Sequence, residues 1–267
     1  MGIFWILLIV TLAISAIGWK KFLYFISIGY GFSIAGCAVA MAIAFSDVLT
    51  LPTALLCLVL FAYGCRLGGY LLIREMKSAS YRKALAENAK EDGYSIGAYL
   101  AVWISCAFLY VAEVYPVASR LANTSAGLPV NGLWAWVGLV VMVMGVVLES
   151  AADAQKTAAK KANPKRFVDT GLYRMVRCPN YFGEMVTWTG CLIVCFGACC
   201  NFWQWFISLL GYIGIVYIMF SGARRLEIRQ NKNYGSDPEY QSYVRKTPIL
   251  VPFLPIYSVE KHAWLRG

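Results

Sequence analysis

Seven long apolar stretches divide the chain, near residues 3–18, 23–46, 50–73, 95–117, 132–154, 181–199 and 202–222. Each reaches or approaches the roughly 20 residues that cross a hydrocarbon core. No Lys or Arg precedes the first stretch and Lys20-Lys21 follows it. It therefore reads as a retained helix rather than a signal peptide. Polar segments separate the stretches. Residues 77–93, rich in Ala, Lys and Glu, predict a short surface helix. Ala122–Asn131 reads as a loop, with Ser125-Ala-Gly and Pro129 as breakers. Residues 156–180 form a basic loop broken at Asn163-Pro164 and Thr170-Gly171. The tail is amphipathic and then carries Pro248, Pro252 and Pro255, a pattern that suits lying along a membrane face. The pattern predicts an all-α polytopic membrane protein of seven spans, one membrane domain over 1–267, without internal repeats.

Composition agrees. Hydrophobic residues make up 60% of the chain and charged residues 14%, against about 25% charged in soluble domains. The net charge is +10, and its distribution explains it. With the N-terminus outside, 22 Lys and Arg fall on inner segments and only Arg120 on an outer one, while Arg66 lies within a span. That is the positive-inside pattern, with a cytoplasmic C-terminus, and it calls for no nucleic acid. Nine Cys sit mostly in or at the ends of apolar stretches, where they read as small packing residues. His262 is the only histidine, which argues against His-based metal or acid–base sites.

Polar residues inside apolar stretches carry the candidate chemistry, because charge there is costly. Arg66 lies within Tyr63-Gly-Cys-Arg66-Leu-Gly-Gly-Tyr70. It either snorkels to the headgroups or pairs with an acid or phosphate, while Gly64, Gly68 and Gly69 allow a ligand or helix to approach. Glu149 and Asp153 end the fifth stretch on one helix face, as a solvated end or as acceptors for ribose hydroxyls. Pro179, Asn180 and Glu184 open the sixth, fitting either a capped helix start or a ligand site. Arg224, Arg225, Glu227 and Arg229 close the seventh, followed by Tyr234, Tyr240 and Tyr243. Cations and carboxylates thus alternate at the inner ends of the third, fifth, sixth and seventh helices. A coenzyme with phosphates and riboses would find both kinds of partner there.

Three segments then carry a resemblance. Glu149-x-x-x-Asp153-x-Gln155, the run Gly171–Glu184, and the tail with Tyr240, Tyr243, Lys246 and Pro252 resemble the C-terminal domain of the steroid 5α-reductase superfamily. The likeness is closest to its bacterial branch, whose usual Ser-Arg-His-Pro-Asn-Tyr-Phe-Gly-Glu reads here Val176-Arg-Cys-Pro-Asn-Tyr-Phe-Gly-Glu184. It covers about residues 60–255. The resemblance implies a membrane enzyme, in a bacterial inner membrane, that binds NADPH from the cytoplasmic side. It implies reduction of a carbon–carbon double bond conjugated to a ketone, in a hydrophobic, steroid-like substrate entering from the bilayer. Arg66, Glu149, Asp153, Asn180, Glu184, Arg225 and Tyr243 would then face the cofactor, and Tyr63 the substrate carbonyl.

The expected chemistry is coherent. Negative charge develops on the carbonyl oxygen and a donor such as Tyr63 must meet it. One departure stands out: steroid-reducing relatives carry a Gln-Glu pair in an early helix, and this chain has no acidic residue before Asp47. Ser27 and Tyr30 are the polar residues nearest that role. The competing reading is an S-adenosylmethionine-dependent methyltransferase of the isoprenylcysteine or phospholipid type, for which Glu227, Tyr240 and Tyr243 would speak. A non-catalytic transporter would be expected to show repeats or broken midplane helices.

Overall fold

A computed structural model of the protein describes residues 2–77 and 95–265. Among the described residues all regular secondary structure is helical, without strands. The helices are α1 Gly2–Ser15, α2 Ile28–Ala44, α3 Leu51–Lys77, α4 Ile96–Ser125, α5 Gly132–Ala162, α6 Pro179–Ile193, α7 Phe202–Tyr234 and α8 Pro238–Lys246. Among the described residues, six segments are long and apolar enough to cross a membrane: Gly2–Trp19, Phe22–Ala44, Leu51–Arg74, Ile96–Ser125, Gly132–Ala162 and Phe202–Tyr234. The stretch expected at 181–199 is the exception. Its helix α6 runs 15 residues and passes into a 3-10 turn at Val194–Gly197. The surface helix expected at 77–93 falls largely outside the described residues.

Two boundaries differ from expectation. α4 runs to Ser125, through Pro116 and through the start of the expected loop. Arg120 therefore belongs to a helix and is buried, with its Nη1 donating to the Asn131 carbonyl at 3.0 Å. α5 also continues to Ala162, into the expected basic loop.

The chain forms two compact units, Met1–Leu139 with Cys191–Tyr212, and Val140–Gly190 with Ile213–Gly267. In the first, α2 and α3 pack almost backbone to backbone. A Cβ on Gly31 would fall 2.5 Å from Gly68 N and 2.9 Å from Gly64 O. Glycine is needed there because no side chain fits the seam. α4 is tied to α1 by the Thr11 hydroxyl donating to Ala107 O at 3.2 Å and by Trp103 Nε1 donating to Leu12 O at 3.1 Å. Farther along, the Asn123 and Gln204 side-chain amides exchange hydrogen bonds at 3.0 and 2.9 Å.

In the second unit, α5 and α6 meet at two bare positions. A Cβ on Gly183 would fall 2.6 Å from Glu149 N, and one on Gly145 would strike Thr187. Gly222 of α7 lies against the Tyr181 ring, where a Cβ would fall 3.3 Å from it. α8 starts on Pro238, with the Asp237 carboxylate capping Glu239 N–H. Beyond α8, Ile249, Leu250 and Val259 are buried, so this part of the tail is a structural member of the unit. Phe253 is exposed, at a positive φ of 66°, among other exposed apolar residues such as Leu254 and Tyr257.

Candidate functional site

In the second unit the α5–α6 crossing gathers most of the cofactor residues expected from the sequence. Glu149 sits at the crossing, 3% exposed, and Glu184 on the facing helix is 6% exposed. Gly183 is what lets these two helices touch, so one residue of the motif sets the height of both carboxylates. Asp153, one turn beyond Glu149, is half-buried. Asn180 stands one turn before Glu184, and its amide oxygen is buried without a hydrogen-bond partner among the described residues. A buried unsatisfied polar atom costs about 1–3 kcal/mol, which a bound ligand would recover. Tyr181 lies within electrostatic reach of Glu184, Arg225 and Arg229. Arg225 and Arg229 are exposed, one turn apart on α7.

The same unit shows which motif residues serve the scaffold. Gly171 has φ +60°, and a side chain there would strike Gln155. Gln155 Oε1 accepts from Leu172 N–H at 2.9 Å, fixing the 3-10 turn Gly171–Arg174 that leads into α6. Tyr173 donates to Ala152 O at 3.3 Å. Tyr243 donates to Tyr173 O at 2.7 Å and stacks on Phe167 with ring centroids 5.5 Å apart. Tyr243 therefore braces the entry to α6. Burial raises its hydroxyl pKa, and burial likewise pushes Tyr240 up to about 12 and the Cys178 thiol up to about 11.

Arg177 and Glu227 form a centre that their sequence context does not reveal. Their ion pair, Nη2 to Oε1 at 2.7 Å, has both side chains 1% exposed. The other Glu227 oxygen accepts from Val259 N–H at 2.8 Å, and Arg177 also donates to the Tyr257 carbonyl. Backbone bonds from Arg177 N and Cys178 N to Pro248 O and Ile249 O, both 2.9 Å, complete the join. Glu227, the acid on which the methyltransferase reading rests, thus has both oxygens engaged within the chain.

In the first unit, Tyr63 is fully buried and its hydroxyl lies 3.2 Å from that of Tyr30. The glycine seam of α2 and α3 sets this pairing. The Tyr30 ring rests on Tyr110, centroids 5.1 Å apart, and the Tyr110 hydroxyl donates to Phe25 O at 2.6 Å. Arg66, half-buried, holds its guanidinium 5.8 Å from the Tyr63 ring centroid. Gly64 and Gly68 face α2, whereas nothing lies within 4 Å of a Cβ on Gly69. A buried carboxyl that the motifs do not reach is Glu113 of α4, 3% exposed. Its signal in the sequence is one acid inside the apolar run 95–117.

Six segments among the described residues that are long and apolar enough to cross a membrane, with no strand beside them, define the class of a helical integral membrane protein. The chain belongs to the family described as "Protein of unknown function (DUF1295)", whose model matches residues 14–247. Two curated relatives are plant proteins. The steroid 5-alpha-reductase DET2 of Arabidopsis thaliana is 31% identical over 81 residues, 28% of each chain. The steroid 5-alpha-reductase DET2 of Gossypium hirsutum is 23% identical over 120 residues, 44% of this chain and 41% of its own. The matched regions thus span less than half the length of either relative. No solved structure matches the chain.

Proposed function

We propose that the protein is an NADPH-dependent reductase of a carbon–carbon double bond conjugated to a ketone, acting on a hydrophobic, steroid-like substrate that enters from the bilayer. The observation that carries this reading is the buried Tyr30–Tyr63 hydroxyl pair, in a chain similar to steroid 5-alpha-reductases. The donor set of the second unit suits the cofactor. Glu149, Asp153 and Glu184 can accept from ribose and amide groups, Asn180 can hydrogen-bond an amide, and the exposed Arg225 can meet a phosphate. Tyr243 would contribute through the turn it braces. When bound, NADPH supplies the hydride.

The protein's own residues do the rest. The Tyr63 hydroxyl donates to the ketone oxygen as charge develops there, in a dry interior where such a bond is strong. Tyr30, hydrogen-bonded to Tyr63, orients that hydroxyl and fills the place of the early-helix acid that this chain lacks. The basic residues favour a cofactor site facing the cytoplasm, in a bacterial inner membrane.

The test is thermal stabilisation of the detergent-purified protein by NADPH, NADH and S-adenosylmethionine in parallel. A ligand that binds the folded state stabilises it by about 2.7 kcal/mol at a hundredfold excess over Kd. NADPH is expected to raise the melting temperature, and Glu184→Ala to abolish that rise in a protein that still melts cooperatively. A rise with S-adenosylmethionine alone overturns the reductase reading.

A further inference from the structure

Arg120 is a buried cation that the proposed reduction does not use. It is the only Lys or Arg between residues 95 and 155, and residues 191–212 carry none. It stands near the end of α4 and is 3% exposed. A guanidinium offers five N–H donors and stays charged. Among the described residues its one acceptor is the Asn131 carbonyl, 3.0 Å from Nη1, while its Nε is buried without a partner. No carboxylate among them bears on it. Withdrawing a charge from water is costly, so buried charges are ordinarily paired.

The bond to Asn131 leads to an open cleft of about 390 Å³ in the first unit. Residues 129–131 form one wall and residues 196–200 the other. Asn131 N–H donates to Gly197 O at 2.8 Å, which ties the walls together. Gly197 has to be bare there, since a Cβ would fall 2.7 Å from Asn131 O. The second wall is also held from the helices. Asn123 Nδ2 of α4 donates to Ala198 O at 2.6 Å, and Gln204 Oε1 of α7 accepts from Cys200 N–H at 2.7 Å. Arg120 Nη1 is thus within hydrogen-bond distance of a lining residue, and its charge stands at the edge of a braced cleft. The rest of the lining includes Pro129, Val130 and the exposed Phe196 ring, which are apolar. α5 and α7 begin directly beyond the two walls, and their first two turns expose Trp136, Phe202 and Trp203. Exposed Trp at the ends of spanning helices marks the headgroup level of a membrane.

We propose that this cleft binds the phosphate headgroup of an anionic phospholipid, with Arg120 as its counter-ion. A guanidinium meets phosphate oxygens with paired, charge-assisted N–H bonds. Phe196, Pro129 and Val130 give the glycerol and the first acyl carbons an apolar surface, which a free phosphate ion would leave unused. The bound headgroup neutralises Arg120 and braces the two walls, so the lipid stabilises the folded unit by mass action. The site is independent of the proposed reduction and stands whether or not the protein binds NADPH.

Thermal melting of the full chain, stripped of lipid in a neutral detergent, tests this in three arms: phosphatidylglycerol, phosphatidylcholine and inorganic phosphate. Phosphatidylglycerol is expected to raise the melting temperature saturably, and more than phosphatidylcholine does. In Arg120→Gln the concentration giving half of that rise is expected to increase about tenfold or more, as the loss of one charge-assisted hydrogen bond implies. Should that variant fail to fold, Pro129→Glu places a carboxylate on an exposed rim position and keeps Arg120. It is expected to remove the rise by pairing with the guanidinium and repelling the phosphate. No rise with phosphatidylglycerol, or equal rises with both lipids, would overturn the proposal. So would a rise that is the same in the wild type and in whichever variant folds. A rise with inorganic phosphate and none with phosphatidylglycerol would overturn the assignment to a lipid.

Discussion

Tyr63 and Phe differ by one oxygen, and in a fully buried site that oxygen is the whole difference in chemistry. Tyr63→Phe is expected to lower kcat by about 10²–10³-fold, the usual effect of removing one donor from a developing oxyanion, while the NADPH-induced melting shift stays. Near-normal turnover in that variant would remove Tyr63 from the chemistry. Single residues were legible in the sequence where a motif surrounds them. Glu149, Asn180 and Glu184 stand at spacings that place them on helix faces, and the structure brings the first and last to one crossing. Pairings were not legible. Tyr30 and Tyr63 are 33 residues apart, and only the depth of the α2–α3 seam decides that their hydroxyls meet. Arg177 reads as one more charge in a basic loop, because its burial depends on Glu227, 50 residues later.

At the scale of elements, that seam is the feature most exposed to mutation. Gly31 has no room for a methyl group, because the atoms opposite are backbone and cannot rotate away. Gly31→Ala is expected to destabilise the protein by about 1–3 kcal/mol through overpacking, and to lower turnover by pushing Tyr30 away from Tyr63. A thermal melt and an activity assay check the two effects; a variant with unchanged melting and turnover would show that the helices slide freely. Helix existence followed from hydropathy, whereas helix ends did not. The fourth stretch reads as ending at 117, yet α4 continues to Ser125, since neighbouring segments hold its last turns. The apolar run at 181–199 reads as a span, yet its regular helix stops at Ile193.

At the scale of the whole molecule, the described residues form the expected helical membrane architecture, with six segments that meet the length of a span where seven were expected. The chain gathers into two compact units, and the second is closed by its own tail. Arg177→Ala is expected to cost about 3–5 kcal/mol, because it strands the Glu227 carboxylate in a dry interior. Denaturation in detergent would measure this, and a loss below about 1 kcal/mol would mean that water reaches the pair. Replacing both partners together by apolar residues should cost less than either single change.

The tail contact also has a clock. Arg177 needs a carbonyl that follows it by 80 residues. At 5–20 residues per second, synthesis of that interval takes about 4–16 s. Throughout it, the guanidinium has left the ribosome's active centre before its last partner exists. The second unit therefore closes only after Tyr257 has been made, and a chain stopped short of it carries an incompletely satisfied buried charge. That interval is a period in which the unit cannot yet close over its own buried arginine.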